Sequence, residues 1–432
     1  MHRIDPRVWA TLSCVGALMA CGSDPGNSGD GDNGPGAVAG SATSPQGGSG
    51  TTETAGSSAV PTAGAGTVQG GSSSTAGTST GGAATPTGGA SAGGTSAGGT
   101  SAGGSGNGAT EYWIAPDGSD TNPGTQAAPF KTLGAGITKV KPGVTLWLEP
   151  GTYTSSNPYE LGVRYSGTAS LPVTLQAAPG GRPVLDFSAE TPGLDSARGI
   201  DLAADYWHIK GLELKKAGDN CIAISGSNNT LEDVIVHECG DTGIQITAPS
   251  SQATDDTRAA NNTILNCDSW GNLDSATGGE NADGFAAKLR IGPGNVFKGC
   301  RAWNNADDGW DFFAADDVVK IDSSWAFSNG KPIGGSNPAG DGNGFKLGGA
   351  PNGAGQGGAV HLVTNSFAFE NKACGFVRNN NPEVPKLTAC GAKDNKTAYC
   401  SLSVSGEVSM TMSAAAAITA KRNADGSLPP MK

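Results

Sequence analysis

Apolar and polar positions alternate along this chain in short bursts, and the bursts recur. The segments "WHIKGLEL", "NTLEDVIV", "NTILNCDSW", "NVFKGCRAW", "VKIDSSWAF", "HLVTNSFAF" and "PKLTACGA" all carry a strand-like alternation, as expected when successive side chains point to opposite faces. Aligned on one small or apolar position they give Leu212, Val234, Cys267, Cys300, Ser324, Ser366 and Cys390, with steps of 22, 33, 33, 24, 42 and 24 residues. The shortest steps set the repeat at 22 to 24 residues, and the longer ones hold insertions. Five residues on, the same register returns Asn272, Asn305, Asn329, Asn371 and Asn395, a column suited to stacking side-chain amides at a repeated turn. A second burst follows each turn, with glycine and then a large apolar residue: "TGIQI", "DGFAA", "DGWDF", "NGFKL" and "CGFVR".

Short strands, a period just above 22 and no helical spacing after residue 141 predict an all-β chain wound as a right-handed parallel β-helix, its rungs stacked at about 4.8 Å. A sandwich or propeller fits less well, because Asn-Gly hairpin signals do not recur and the period is too short for a four-stranded blade. The segment "FKTLGAGITKV", residues 130–140, predicts a helix capping the open first rung, with "VTLWLEPGTY" starting the coils. Cys267 and Cys300 fall at equivalent inward positions and are expected as buried free thiols. A disulfide is expected among Cys374, Cys390 and Cys400.

The N-terminal region changes the picture of where the coils work. Residues 1–20 have a basic start, an apolar run too short to span a membrane and small residues before Cys21, the pattern of a lipoprotein signal with Cys21 as the lipidated residue. Plain secretion is the alternative, and Gly22 after the cysteine points to the bacterial outer membrane or cell surface. Residues 21–109 are Gly, Ser, Thr and Ala with almost no large apolar side chain, which predicts a disordered linker spanning roughly 50 Å. Residues 110–432 are then the β-helix domain, with membrane contact only through the lipid anchor and a monomer expected.

Candidate chemistry sits in the column just before the glycine: Asn220, Thr242, Asp283, Asp308, Asn343 and Cys374. Asp307 adjoins Asp308, and Asp311 lies two past Gly309, on the outward face shared by Gln245, Ala286 and Lys346. Asp-Gly pairs also make plain turns, but plain turns would not gather four acids on adjacent rungs. Crowded carboxylates repel unless protonated or bound to a cation, and oxygen ligands without His or Cys select calcium. From the ladder asparagine to the glycine takes 4 residues in the acid rung but 12 in the rung before and 15 in the rung after, so long loops should wall a cleft.

A net charge of −12 without a basic patch argues against nucleic acid, though not against an anionic polymer bridged by a cation. Calcium beside a lysine suits removal of a proton alpha to a carboxylate better than hydrolysis by an acid pair. Lys346 is the candidate base, acting at C5 of a uronate and best at alkaline pH. Lys288, Arg290, Arg301 and Arg378 are candidates for binding neighbouring uronate carboxylates, whereas Trp303, in an alternating strand, is expected to pack.

The stretch "ENADGFAAKLRIGPGNVFKGCRAWNNADDGWDFF", residues 280–313, together with "DGNGFKLGG", residues 341–349, resembles family 9 of the polysaccharide lyases, pectate lyases built on a ten-coil parallel β-helix. The resemblance covers most of residues 111–376, including the opening "IAPDGSDTNPGTQAAPFKTL". It implies calcium held by Asp283, Asp307, Asp308 and Asp311, Lys346 as the base, and polygalacturonate cleaved by β-elimination. Other readings are action on another uronate polymer, exo-action, or a non-enzymatic carbohydrate-binding surface protein stiffened by calcium. The C-terminus, with its cysteine-bearing stretch and "AAAAITAKRNADGSLP", departs from the Asn-rich coils of that family.

Overall fold

The computed structural model describes residues 110–249, 257–334, 338–349 and 358–431. The expected signal, the lipidation site Cys21 and the linker lie outside the described residues. Among those described, no helix is long and apolar enough to cross a membrane.

The strands assemble into three parallel sheets of eleven, nine and nine strands, and each coil visits the sheets in turn. Within a coil, a strand of the first sheet (Phe297 in Val296–Lys298, for example) is followed by one of the second (Arg301–Trp303) and one of the third (Trp310–Asp311). Like residues pair like across coils: Leu231, Ile264, Phe297, Ile321, Val363 and Leu387 form one inward column. This is the solenoid that the repeat predicts.

Each eight- or nine-residue burst proves to be two strands separated by a corner. Asp233, Asn266, Gly299, Ser323, Asn365 and Ala389 take φ between +50° and +66° there. Each is followed by the small or apolar residue of the alignment column, Val234 through Cys390, fully buried. A left-handed residue turns the chain sharply without lengthening the coil, at a cost of about 1–2 kcal/mol where a Cβ is present. Cys267, Cys300 and Cys390 are free and buried, as expected. Cys374 bonds Cys400, and Cys221 bonds Cys239, a pair the spacing does not reveal.

A second left-handed corner, at Gly271, Asn304, Ser328, Glu370 and Asp394, delivers the asparagine column. Its side chains form a continuous ladder: Asn272 Nδ2 donates to Asn305 Oδ1 at 2.9 Å, Asn305 to Asn329 at 3.0 Å, Asn329 to Asn371 at 2.9 Å and Asn371 to Asn395 at 2.8 Å. Each Oδ1 also accepts a backbone N–H, as Asn371 Oδ1 does from Asn329 N at 3.0 Å, so buried turn donors are satisfied. A shorter ladder opposite joins Asn229, Asn262 and Asn295.

Two expectations need correction at the chain's ends. The helix Leu133–Ile137 does bury Leu133 and Ile137 at the first rung, but the coils begin before it: Glu111–Ile114 pairs in parallel with Thr145–Leu148. Helical structure also returns after residue 141, in Ala414–Thr419. There Ala414 and Ala417, with Met410 and Met431, pack on Trp303, Trp325, Phe327 and Phe369, so the C-terminal segment covers an aromatic column on the second sheet rather than adding coils.

Replacing Asn329 by Ala should remove about 2–3 kcal/mol of stability, because it strips the acceptor from Asn305 and leaves buried turn donors unmet. The denaturant midpoint measures it; an unchanged midpoint would show that the ladder does not hold the register.

Candidate active site

The site forms on the third sheet because its strands alternate strictly. Phe285, Trp310, Phe345 and Phe376 point inward as a ring stack with centroids 4.9, 4.7 and 4.8 Å apart, so their neighbours Ala286, Asp311 and Lys346 form the outward column, in register with Gln245. The turn glycines seat the acids. A Cβ on Gly309 would lie 2.5 Å from the Gly344 carbonyl and 2.9 Å from Asn329 Nδ2, so only glycine lets Asp308 ride directly over the ladder.

The structure brings Asp283, Asp307 and Asp308 together: one carboxylate oxygen from each lies within 4.8 Å of the others. All three are buried. Asp311 joins them through shared lysines, its Oδ2 being 3.6 Å from Lys288 Nζ and 4.0 Å from Lys346 Nζ. Lys346 Nζ also lies 3.3 Å from Asp308 and 3.6 Å from Asp341. The flanking loops close over the cluster as the lengths predict: Asn281 N donates to Asp307 Oδ2 and Asp341 N to Asp307 Oδ1 at 2.6 Å. Asn343 N and Nδ2 donate to Asp308 Oδ1 at 2.6 and 3.0 Å.

Asp308 Oδ2 is buried without a hydrogen bond; the Lys346 ammonium is near it but poorly aligned. An orphaned anionic oxygen amid an all-oxygen donor set fits a hard divalent cation, and the carboxylates placed to converge on one are those of Asp283, Asp307 and Asp308, with Asp311 beyond that trio. Electrostatics agree. Burial, reinforced by neighbouring aspartates, pushes Asp283 and Asp308 well above the ordinary carboxylate range despite the nearby lysines, and Asp307 moves the same way. Burial disfavours the Lys346 ammonium, yet Asp311, Asp308, Asp307 and Asp341 outweigh it and hold its pKa well above that of a free lysine.

The remaining candidates separate. Lys288, buried, donates to Asp283 Oδ2 at 3.0 Å and so belongs inside the acid cluster rather than on a substrate-facing surface. Arg290 is half exposed on the same side, 3.6 Å from Asp316. Arg378 turns back on its own loop, donating to the Asn381 and Pro382 carbonyls. Arg301 is a correction: it sits on the second sheet, buried, gripping Asp268 at 2.9 and 2.6 Å and the Ala417 and Ala420 carbonyls, so it anchors the C-terminal helix and is not available to a polymer. Trp303 packs, stacked on Phe327. Sequence reasoning missed Asp341 and Asn281, which lie in the loops where no register applies.

A family model described as "Pel9A-like, right handed beta helix region" matches residues 112–419. The chain is 42% identical over 293 residues to "Pectate lyase L" of Paenibacillus polymyxa, covering 66% of this chain and 64%, less than two thirds, of that protein. It is 36% identical to "Pectate lyase PEL9" of Emericella nidulans, covering 66% of this chain and 74% of that one. The solved structure of pectate lyase Pel9A superposes with a TM-score of 0.64 at 33% identity, over 75% of this chain and 88% of the other.

The shifted acids predict a pH dependence for metal-free protein. Because Asp283, Asp307 and Asp308 lie above the ordinary 3.8, the folded state holds more protons than the unfolded one once pH passes that value, so stability falls as pH rises. The raised lysines add stability that is fully present below their ordinary 10.5 and do not offset this decline. Melting temperatures in chelator should drop from about pH 4 to pH 9, and a bound divalent cation, replacing the protons, should flatten the slope. A flat or rising profile in chelator would show the acids to be ionised unaided.

Proposed function

The chain belongs to the Pel9A-like, right-handed β-helix family, and from that premise we propose that it is a calcium-dependent pectate lyase that cleaves polygalacturonate by β-elimination. The observation that carries the reading is the Lys346 ammonium held 3.3 Å from Asp308 at the edge of the three-aspartate cluster: a base candidate beside a site for a cation.

Calcium bound among Asp283, Asp307, Asp308 and Asp311 would supply positive charge that neutralises these acids and the uronate carboxylate and acidifies the neighbouring C5 proton. The chain's own groups do the rest. Lys346, as the neutral amine, takes the proton from C5; the C5–H electron pair becomes the C4–C5 double bond; the C4–O bond breaks and its pair leaves on the oxygen of the departing sugar, which solvent protonates. The aspartates hold Lys346 charged when no cation is present, so the amine works as a base only once that field is cancelled, and activity should rise toward alkaline pH. Lys288, locked to Asp283, keeps its proton and fixes the cluster's geometry. Arg290, half exposed beside the site, is the cation best placed for a neighbouring uronate.

The signal at residues 1–20 and the Gly/Ser-rich segment 21–109 support secretion, with Cys21 lipidated and the domain tethered to the bacterial outer membrane or cell surface. Mass spectrometry of the mature N-terminus tests this: a diacylglyceryl Cys21 is expected, and a free thiol there would favour release.

The deciding assay follows the ultraviolet absorbance of the unsaturated product on a panel of uronate polymers, with calcium or chelator. Polygalacturonate with calcium should give signal and chelator should abolish it; silence on every polymer would favour a binding protein. Lys346→Ala should lower kcat by at least about 10³-fold while calcium affinity persists. Lys346→Arg should fail equally, because a guanidinium stays protonated in proteins. Near-normal turnover by Lys346→Arg would reduce Lys346 to a charge neutraliser.

A further inference from the structure

The third sheet repeats its acidic turn before the cluster already described. Register places Asp219, Asp241 and Asp307 at the same position of the turn, three residues ahead of the paired Ile222, Ile244 and Trp310. The loops carrying Gly193 and Thr277 close a cavity of about 330 Å³ over the first two, lined by Asp195, Arg198, Asp219, Asp241, Gln245 and Asp274. Four carboxylates face the Arg198 guanidinium, and the Lys288 ammonium of the neighbouring cluster is close enough to act on Asp241.

Most of these groups are already occupied. Arg198 is committed to Asp219 at 3.1 Å and Asp201 at 3.3 Å. Asp274 closes its own turn, accepting from Ala276 N at 2.8 Å and Thr277 Oγ1 at 2.7 Å. Asp241 Oδ2 accepts from Asn220 Nδ2 at 3.3 Å, but Asp241 Oδ1 is buried with no donor. Gln245, only 7% exposed, likewise leaves Oε1 buried and unpartnered. Apart from a proton that Asp241 can share with Asp219, these two buried oxygens on one cavity wall meet no donor from the protein, and they suit an occupant that donates or carries positive charge.

We propose that this cavity is a second calcium site, held by the Asp241 carboxylate and the Gln245 amide oxygen, with Asp219 and water completing an all-oxygen shell. A sugar hydroxyl could also donate to both oxygens, but it would leave the excess of carboxylates uncompensated, and a uronate alone would add to it. Oxygen donors of mixed type and irregular arrangement suit calcium better than magnesium, which demands a near-ideal octahedron. The inference does not rest on the lyase reading.

Calorimetric titration of calcium into the metal-stripped full-length chain tests it, in an Asp308→Asn background that removes the other candidate site. One calcium-binding step should survive in Asp308→Asn and vanish when Asp241→Asn is added, with the circular dichroism spectrum unchanged. Gln245→Glu, in the same background, adds a charged ligand and should tighten the surviving step about tenfold. Absence of any step in folded Asp308→Asn, or a step indifferent to both changes, overturns the proposal. Should Asp241→Asn not fold, Gln245→Glu decides alone, and unaltered affinity overturns it. Galactose bound in chelator and lost with Asp241→Asn would also overturn it, making the cavity a sugar site.

Discussion

Everything in this protein depends on register between stacked coils. A one-residue slip of a rung over its neighbour moves every side chain to the other face, and the asparagine ladder penalises slips of any size. Each amide from Asn272 to Asn371 donates to the next while its oxygen takes a backbone N–H from the coil before. Inside the third sheet the Phe285, Trp310, Phe345 and Phe376 stack repeats that constraint with rings. Position within a coil thereby becomes position on the surface, and residues 283, 308 and 346, far apart in the chain, meet because each sits at a set distance from a glycine.

Such a scaffold concentrates charge as readily as it concentrates apolar groups. Four aspartates, 283, 307, 308 and 311, face two lysines, 288 and 346, the second of which is shared with Asp341 as well, leaving an excess of negative charge that a divalent cation would reduce. The lysines differ in their partners. Lys288 is bonded to Asp283; Lys346 lies one rung past Asp311, near Asp308 and Asp341. Burial gives this arrangement its force, since the same six groups in water would interact by about 1 kcal/mol per pair.

Register explains what could be read in the sequence and what could not. The alternation, the 22-residue spacing, the asparagine column and the acids before the glycines are all properties of single coils repeated, so they survive in the chain as pattern. The left-handed corners at Ser323 and Ala389 carry no such mark, because those residue types rarely adopt φ > 0 unless the surrounding coils impose it. Arg301 looked like a surface rung cation because its partners, Asp268 and the helix near Ala417, lie 33 and 116 residues away. The Cys221–Cys239 bridge joins different positions of the same turn in successive coils, so neither cysteine has the other in its own alignment column. Asp219 and Asp241 stand one position ahead of Asn220 and Thr242, outside the column that holds Asp283 and Asp308.

On the proposed reading an acidic cleft receives an acidic polymer, which is a contradiction only if the two meet without mediators. With a net charge of −12, the protein repels a polyuronate at long range, and within a Debye length, about 8 Å at physiological salt, each approaching carboxylate meets aspartates. Binding through cations reverses the sign of that encounter. On the proposed reading the polymer is captured as its cation complex, and the aspartates act as ligands that the uronates complete. What sets this face apart is number rather than lack of partners: carboxylates such as Glu232, Asp233 and Asp322 each meet a nearby cation on Lys210, Arg182 and Lys298, whereas Asp283, Asp308 and Asp311 share two lysines.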